Sequence, residues 1–203
     1  MTHPSTKPEN AGRLRPTATV RTRKGHVVRV RPVEPDDREL MVEGFVRLSD
    51  RSRYLRFMAP TDRLSESQLE YLSHIDYLNH FAWGVLTPAG TPVAIGRFVR
   101  FRDEPDAADV ALTVTDDHQG RGIGTMLIQA LAVVARRRGI VTFHFDVLPS
   151  NEAMLAVLAS LGASSTLADG IAHLVIPVTE IEPPEVLDGD LGRLADRMAA
   201  RPA

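Results

Sequence analysis

The chain of 203 residues contains no cysteine. Without thiols it can form no disulfide bond, no thiolate zinc site and no covalent intermediate on a cysteine nucleophile. It also has no apolar run near the roughly 18 residues that a membrane-spanning helix needs. Residues 1–10 are polar, without the apolar stretch of a signal peptide. We therefore expect a soluble protein of the reducing cytoplasm, with no membrane partner.

An excess of charge of one sign is missing as well. The chain has 24 Lys and Arg against 26 Asp and Glu, which gives a formal net charge of -2. Because nucleic-acid-binding modules usually have a strongly basic balance, we expect no nucleic-acid partner. Apolar residues make up 43% of the chain, which is typical of globular proteins, and the length is sufficient for one full core. The composition predicts a single folded domain.

Local composition divides the chain into three parts. Residues 1–19 are rich in Pro, Thr, Asn and Arg without periodicity and are predicted to form a flexible arm. Residues 20–178 have the periodic segments of the folded domain, and residues 179–203 are predicted to form an acidic, partly helical tail. The basic arm either contacts an acidic partner or phosphate, or it is solvated like the acidic tail.

Hydrophobic periodicity predicts a mixed α/β domain with the element order β-α-α-β-β-β-α-β-α-β. Ser65 and Gln68 have the spacing of a helix capping box, which supports one of the helices. The predicted strands are 26–31, 81–86, 93–99, 109–114, 140–148 and 171–177, and the predicted helices follow Pro35 or span 65–74, 126–138 and 151–161.

The most informative segment joins the strand at 109–114 to the next helix and reads Gln119-Gly-Arg-Gly122-Ile-Gly124. Glycines let the backbone approach a ligand, and the unpaired N–H groups at a helix start form a site for phosphate or pyrophosphate. The spacing differs from the G-x-G-x-x-G of dinucleotide-binding folds, and no Gly-Lys-Ser/Thr of a P-loop follows. A glycine-rich turn without a ligand is the alternative interpretation.

The pattern Gln119-x-x-Gly122-x-Gly124, on a strand, a loop and a helix, resembles the pyrophosphate loop of the GNAT superfamily of acyl-CoA N-acyltransferases. Asn151, before a helix that ends in Leu161-Gly162-Ala163, is similar to the last block of that superfamily. Three segments resemble the acetyltransferase domain of bacterial Pat-type protein lysine acetyltransferases: 30–37, 52–57 and 147–154. The resemblance implies the GNAT fold, with six to seven strands, about four helices and a sheet splayed between its fourth and fifth strands.

The resemblance further implies that an amine attacks the thioester of acetyl-CoA directly, in a ternary complex that needs no metal. The strand before the loop would be bulged and splayed, and the N–H of Val114 would polarise the thioester carbonyl. Loop amides would hold the pyrophosphate, and Asn151 would contact the pantetheine or order the site. The implied acetyl-CoA site comprises Leu112, Thr113, Val114, Gln119, Gly120, Arg121, Gly122, Ile123, Gly124, Thr125 and Asn151.

The acceptor amine must lose a proton, because a lysine amine with a pKa of about 10.4 is protonated at pH 7. By the same resemblance, Asp109 stands at the position of a catalytic glutamate, and its shorter side chain favours a water relay. Asp146 and His144, in the next strand, are alternative proton acceptors. Leu158 replaces a tyrosine that protonates the leaving thiolate in many members of the superfamily, so either another donor serves or none is needed.

These patterns predict an acetyl-CoA-dependent N-acetyltransferase, a monomer or homodimer, whose acceptor is a protein lysine. Two alternatives stay open: an enzyme that acetylates a small-molecule amine, and a non-catalytic acyl-CoA sensor. The substitutions at Asp109 and Leu158 favour the sensor. Tyr54, Arg56 and Phe57 are predicted either to border the acceptor groove or to pack between helices.

Overall fold

A computed structural model describes residues 16–183 and 190–200 of the chain. Within these ranges eight strands form one sheet in the order β1-β2-β3-β4-β5-β6-β8-β7. The strands are β1 (Ala18–Arg21), β2 (Val27–Pro32), β3 (His80–Leu86), β4 (Pro92–Arg100), β5 (Ala107–Val114), β6 (Thr142–Val147), β7 (Ser164–Ala168) and β8 (Ile171–Pro177). The helices are α1 (Arg38–Val46), α2 (Asp50–Phe57), α3 (Glu66–Ser73), α4 (Ile123–Arg137), α5 (Glu152–Ser160) and α6 (Asp190–Ala199). The predicted mixed α/β fold is confirmed, and the described residues contain two more helices than expected.

The sheet is antiparallel except between β5 and β6, which run parallel. Their pairing covers three residue pairs, from Ala107 with Thr142 to Asp109 with His144, and then stops. The fourth and fifth predicted strands correspond to β5 and β6, so the predicted splay between them is confirmed. The bulge that the resemblance implies for this strand is contradicted, because β5 keeps an unbroken register with β4 from Ala108 to Val114. We call the opening beyond Asp109 the fork.

The first strand extends the sheet into the segment predicted as a flexible arm. Ala18 and Thr19 lie in β1, which pairs with β2, and Ala18 and Val20 are buried in the main core. The predicted boundary between the arm and the domain, after residue 19, therefore falls inside β1, and the folded domain begins before it. The short alternation of Ala18, Val20 and their polar neighbours was too brief to stand out from the Pro/Thr-rich segment before it. Residues 1–15 of the predicted arm lie outside the described residues.

Aromatic side chains from three strands form the centre of the core. Phe81 in β3 lies edge-on to Trp83, with 4.9 Å between ring centroids, and stacks on Phe98 of β4 at 5.8 Å. Phe98 in turn contacts Phe143 of β6 at 6.2 Å. All four side chains are fully buried, and such aromatic pairs add about 0.5–1.5 kcal/mol each beyond their buried area. The core therefore ties β6 to β3 and β4 at one end, while the fork opens at the other.

The basic end of α4 holds the C-terminal part of the domain. Arg136 donates to the carbonyls of Val178 and Ile181, and Arg138 donates to the carbonyl of Met198 in α6. The longest described helix, α4, has 15 residues; no helix in the described ranges has the length and apolar character to cross a bilayer.

A buried ion pair fixes the start of α1 against the sheet. The guanidinium of Arg31 in β2 forms two hydrogen bonds with the Asp37 carboxylate, at 2.6 Å and 2.7 Å. The same carboxylate accepts from the Glu34 N–H at 2.8 Å. Arg31 is 6% exposed and Asp37 is 4% exposed. Asp37 thus does not cap the helix with its side chain; it neutralises a buried cation.

We expect Asp37→Ala to lower the free energy of unfolding by about 3–5 kcal/mol, because it leaves the buried Arg31 guanidinium unpaired. Urea unfolding measures this change. Asp190→Ala, which removes an exposed pair with Arg193, is the control and should cost about 1 kcal/mol or less. Equal small losses in both variants would contradict the assignment of the Arg31–Asp37 pair as a core interaction.

Candidate active site

The fork leaves backbone amides of β5 without a strand partner. The Thr115 N–H donates to the Val93 carbonyl in β4 at 2.9 Å. Because successive N–H groups of a strand point to opposite sides, the amides of Leu112 and Val114 face away from β4. They point to the side on which β6 no longer pairs. The strand therefore offers hydrogen-bond donors to an extended ligand that enters the fork.

A second set of donors lies at the end of β5, where α4 begins. Gly122 is the N-cap of α4 and has a φ of 80°, and Gly120 has a φ of 69°. Both values lie in the left-handed region, which glycine enters without a steric cost. The N–H groups of the first turn have no acceptor within the helix and lie at the positive end of its dipole. This geometry binds anions, and a diphosphate has the matching charge.

The fork and the start of α4 border one cleft of about 310 Å³, which we call the donor cleft. Of the residues predicted to bind acetyl-CoA, all but Arg121 line the donor cleft. The Arg121 carbonyl accepts a hydrogen bond from the Thr22 hydroxyl at 2.8 Å. Asn151 is the N-cap of α5, and its side chain accepts from the Met154 N–H at 3.3 Å. The predicted residues in the lining are Leu112, Thr113, Val114, Gln119, Gly120, Gly122, Ile123, Gly124, Thr125 and Asn151.

Sequence reasoning missed several residues of the donor cleft, of which Lys24 matters most for charge. Lys24 belongs to the turn between β1 and β2, and its Cγ lies 4.0 Å from the point where a Cβ on Gly122 would stand. A cation is thus placed beside the anion-binding loop. The contact of Lys24 with a loop about a hundred residues away leaves no signal in the sequence. The other missed residues are Ser52, Leu55, His118, Ala153, Met154 and Val157.

A carboxylate holds α2 against the loop. Asp116 accepts from the Ser49 N–H at 2.9 Å, from the Ser49 hydroxyl at 2.7 Å and from the Ser52 hydroxyl at 2.8 Å. Burial would raise the pKa of Asp116, but these hydrogen bonds outweigh it and lower the pKa. Gln119 completes the link by donating to Ser52 and, at 3.1 Å, to the carbonyl of Val114. The acceptor side of Val114 is therefore occupied within the protein, while its N–H faces the fork.

Both carboxylates predicted as proton acceptors lie in a second cleft of about 450 Å³, the acceptor cleft, which begins where β5 and β6 part. Asp109 is half-buried at the last paired position of β5. Asp146 is opposite His173 across β6 and β8, and its Oδ1 lies 2.6 Å from His173 Nδ1. His144, the partner of Asp109 in β6, also lines the acceptor cleft. The candidate oxyanion donor Val114 lies apart from this group, in the donor cleft.

The environment of Asp109 suits a proton acceptor. Burial raises the pKa of this carboxyl, and the nearby charge of Asp146 raises it further, while Arg56 and His144 act in the opposite direction. A carboxylate with a raised pKa holds a proton more tightly than an exposed one and is a better general base near neutral pH. Asp109 therefore lies in the cleft where a proton acceptor is expected, and its pKa is shifted in the direction that favours this role.

Four further predicted positions have defined surroundings. Leu158 is fully buried in the core, and its hydrocarbon side chain has no proton to give to a thiolate. Phe57 packs edge-on to Phe45 of α1, with 5.8 Å between ring centroids, which agrees with the packing interpretation. Arg56 lies in the wall of the donor cleft, and Tyr54 is 45% exposed.

Comparisons with known proteins agree with this geometry. A family model described as an acetyltransferase (GNAT) domain matches residues 28–164. The chain is 39% identical over 168 residues to the acetyltransferase Pat of Mycolicibacterium smegmatis, with 82% of this chain and 49% of that protein covered. It is 31% identical over 141 residues to an acetyltransferase of Pseudomonas aeruginosa, with 68% and 75% covered. The crystal structure of the GNAT domain of S. lividans PAT has a TM-score of 0.75 and 35% identity, and the match covers 79% of this chain and 96% of that one. The chain thus spans about half the length of the mycobacterial relative.

We expect Gly122→Glu to weaken coenzyme A binding at least tenfold, because the new carboxylate would repel the diphosphate at the start of α4. Isothermal titration calorimetry measures the dissociation constant. Gly170→Glu is the matched control: Gly170 has a φ of 77° in the turn between β7 and β8, with nothing within 4 Å of an added Cβ. Unchanged binding in the Gly122 variant would place the diphosphate elsewhere.

Proposed function

Because the chain belongs to the GNAT acetyltransferase family, we propose that it transfers the acetyl group of acetyl-CoA to a primary amine, and that the amine is a protein lysine. The observation that carries this proposal is the fork. It joins an anion-binding loop at one end of β5 to a half-buried carboxylate, Asp109, at the other. A thioester and an amine could thus meet between these two ends.

On the donor side, the first-turn amides of α4 and the charge of Lys24 hold the diphosphate. The pantetheine arm follows β5 in the place that β6 vacates, so that it accepts hydrogen bonds from strand amides. The Val114 N–H then donates to the thioester carbonyl oxygen, where negative charge develops as the amine attacks. Preorganised backbone donors of this kind need no reorganisation during the reaction, and they require no cysteine.

On the acceptor side, the protein must deprotonate an ammonium group. The pKa of a lysine amine lies about 3.4 units above pH 7. Forming the neutral amine at this pH therefore costs about 4.6 kcal/mol, at 1.36 kcal/mol per unit. Asp109 accepts this proton, and a bridging water spans the gap that its short side chain leaves. The tetrahedral intermediate loses the second nitrogen proton to solvent and expels the thiolate, whose pKa of about 8.5 makes it a good leaving group. The hydrocarbon side chain of Leu158 has no proton to donate, and we assign no other protein group to protonate the thiolate.

The assignment of a protein lysine as the acceptor rests on the likeness to the Pat relatives and on the acceptor cleft. The two carboxylates of Asp109 and Asp146 outnumber the one arginine of the lining, Arg100, which leaves a negative charge that suits a cationic side chain. Tyr71 and Val99 line part of it and can contact the methylenes of a lysine. The cleft is open to solvent along the half-exposed pair of Asp146 and His173, which leaves room for the rest of a protein substrate.

We expect Asp109→Asn to lower kcat/KM by about 100-fold or more, because it removes the general base. The variant should be at least as stable as the wild type. Burial raises the pKa of Asp109 in the folded protein above its value in the unfolded chain. The folded state is therefore destabilised as the pH rises through the range between these two pKa values. Asparagine does not ionise, so the variant avoids this destabilisation. Steady-state kinetics and thermal unfolding measure the two effects.

Asp106→Asn, at an exposed position just before β5, is the control and should keep wild-type kcat/KM. In the wild type, kcat/KM should rise with pH as Asp109 loses its proton, and this limb should be absent in Asp109→Asn. Background turnover in the wild type and in Asp109→Asn alike would instead support a non-catalytic acyl-CoA sensor.

We expect labelled acetyl-CoA, added to a cell lysate with the protein, to place the label on lysine side chains of proteins. Mass spectrometry of the protein and small-molecule fractions, with Gly122→Glu as the inactive control, identifies the acceptors. A lysine peptide and a panel of free amines then give the kcat/KM values for comparison. Label confined to polyamines, amino acids or other small amines would overturn the protein-lysine assignment and leave the acetyl transfer standing.

A further inference from the structure

A cavity of about 100 Å³, the inner cavity, lies between the sheet and the first three helices, and the chemistry above does not use it. Its walls are mostly apolar and include Leu40, Phe45, Leu48, Val93 and Ile95. Arg56 and Thr113 border both the inner cavity and the donor cleft. Because Thr113 precedes the proposed oxyanion donor Val114, the inner cavity adjoins the place where the acyl group of the thioester would lie.

Two guanidinium groups in the wall of the inner cavity have no carboxylate partner. Arg97 in β4 is 4% exposed, and its Nη1 bonds to the Leu72 carbonyl at 2.9 Å and lies 3.0 Å from His80 Nε2. Among residues 16–183 and 190–200, neither Arg97 nor Arg56 is in an ion pair, whereas Arg31 in the same wall is paired with Asp37. Buried charges in proteins are normally paired.

The electrostatics of this wall favour an added anion. Burial, together with the like charge of Arg56, lowers the pKa of Arg97 to about 9, so Arg97 is still cationic at pH 7. Burial and the charge of Arg97 also lower the pKa of His80 to about 4, so the neighbouring imidazole is neutral. Asp109 compensates the charge of Arg56 in part. Within the part of the chain that the structure describes, no carboxylate does the same for Arg97, and a ligand carboxylate would supply that counter-charge.

We propose that the inner cavity receives the acyl chain of the donor and selects chains that end in a carboxylate, such as succinyl. This inference rests on the proposed acyl transfer. The apolar walls would contact the methylenes, and Arg97 and Arg56 would bind the terminal carboxylate with charge-assisted hydrogen bonds. Since an engineered apolar cavity of about 150 Å³ binds benzene, the inner cavity has room for the methylene and carboxylate by which succinyl exceeds acetyl.

The reaction is the same as with acetyl-CoA. The amine nitrogen forms a bond to the thioester carbonyl carbon, the carbon–sulfur bond breaks, and coenzyme A leaves as the thiolate. The ammonium group gives one proton to Asp109 through water before the attack. The nitrogen releases its second proton to solvent once it is bonded to carbon, and the thiolate takes a proton from solvent. The product is a succinyl amide, so the cationic acceptor becomes an anionic group. No oxidant, reductant or other reactant is needed.

Succinyl-CoA and butyryl-CoA form a matched pair of donors, because their acyl chains have the same number of carbons and differ in the terminal carboxylate. We expect the wild type to prefer succinyl-CoA in kcat/KM by about 10- to 100-fold, which corresponds to a charge-assisted hydrogen bond in a buried site. Arg97→Met should abolish this preference, and Arg97→Lys should keep part of it. Both donors are assayed on one preparation, so a reduced folded fraction cancels in the ratio.

Arg102→Met is the control, because Arg102 is an exposed cation just beyond the end of β4. It should keep the wild-type preference, whereas a loss there would mean that general attraction of an anionic donor explains the effect. Calorimetric titration with both donors repeats the comparison without turnover. A preference for succinyl-CoA that Arg97→Met removes would support the proposal even in a protein that transfers no acyl group.

Three results would overturn the inference. Equal or better use of butyryl-CoA would make the inner cavity a plain apolar acyl pocket. Acetyl transfer without measurable binding or use of either longer donor would mean that the cavity is closed to acyl chains, with the proposed function intact. With acetyl-CoA as donor, an Arg97-dependent preference for free amino acids over their amides would assign the guanidinium to a carboxylate of the acceptor.

Discussion

The site depends on the point at which two parallel strands stop pairing. Backbone N–H groups away from water need acceptors, and β5 meets this requirement with β4 on one side along its whole length but with β6 only as far as Asp109. The amides of Leu112 and Val114 are left for a ligand. The aromatic core packs β6 against β4 through Phe143 and Phe98, at the end where β5 and β6 still pair. Beyond that end the two strands part, and the thioester would lie in the opening.

The two halves of the candidate site are mechanically connected. Asp116 and Gln119, from the loop that would hold the diphosphate, bind Ser49 and Ser52 at the start of α2. The same helix presents Arg56 to the donor cleft and to the inner cavity. A ligand that orders the loop would therefore also fix Arg56, whose charge acts on Asp109. Donor binding and the strength of the proposed base would then be coupled through one short helix of eight residues.

Local signals in the sequence predicted the parts of the fold that depend on neighbouring residues. The capping box of Ser65 and Gln68 is present with both reciprocal hydrogen bonds, and the glycine loop lies where the spacing put it. Helix α2 was not predicted, because it has no buried residue and its contacts with Asp116 join positions more than sixty residues apart. Strand β7 is exposed along its whole length, so it lacks alternation, although the Asp169-Gly170 turn before β8 is a recognisable hairpin signal. The surroundings of Arg97 and Lys24 likewise exist only once distant segments meet.

The proposed base, Asp109, is one methylene shorter than the glutamate that the family resemblance implies at its position, and this length bears on its surroundings. A shorter side chain keeps the carboxyl nearer to the sheet, where burial raises its pKa, and nearer to the charge of Arg56, which lowers it. These opposing effects leave a base whose strength depends on Arg56. If a donor carboxylate engaged the guanidiniums of Arg97 and Arg56, it would weaken the influence of Arg56 on Asp109, and the pKa of Asp109 would rise further. An anionic acyl chain would then be matched with a stronger base, so that selection of the donor and activation of the amine would have a common electrostatic origin.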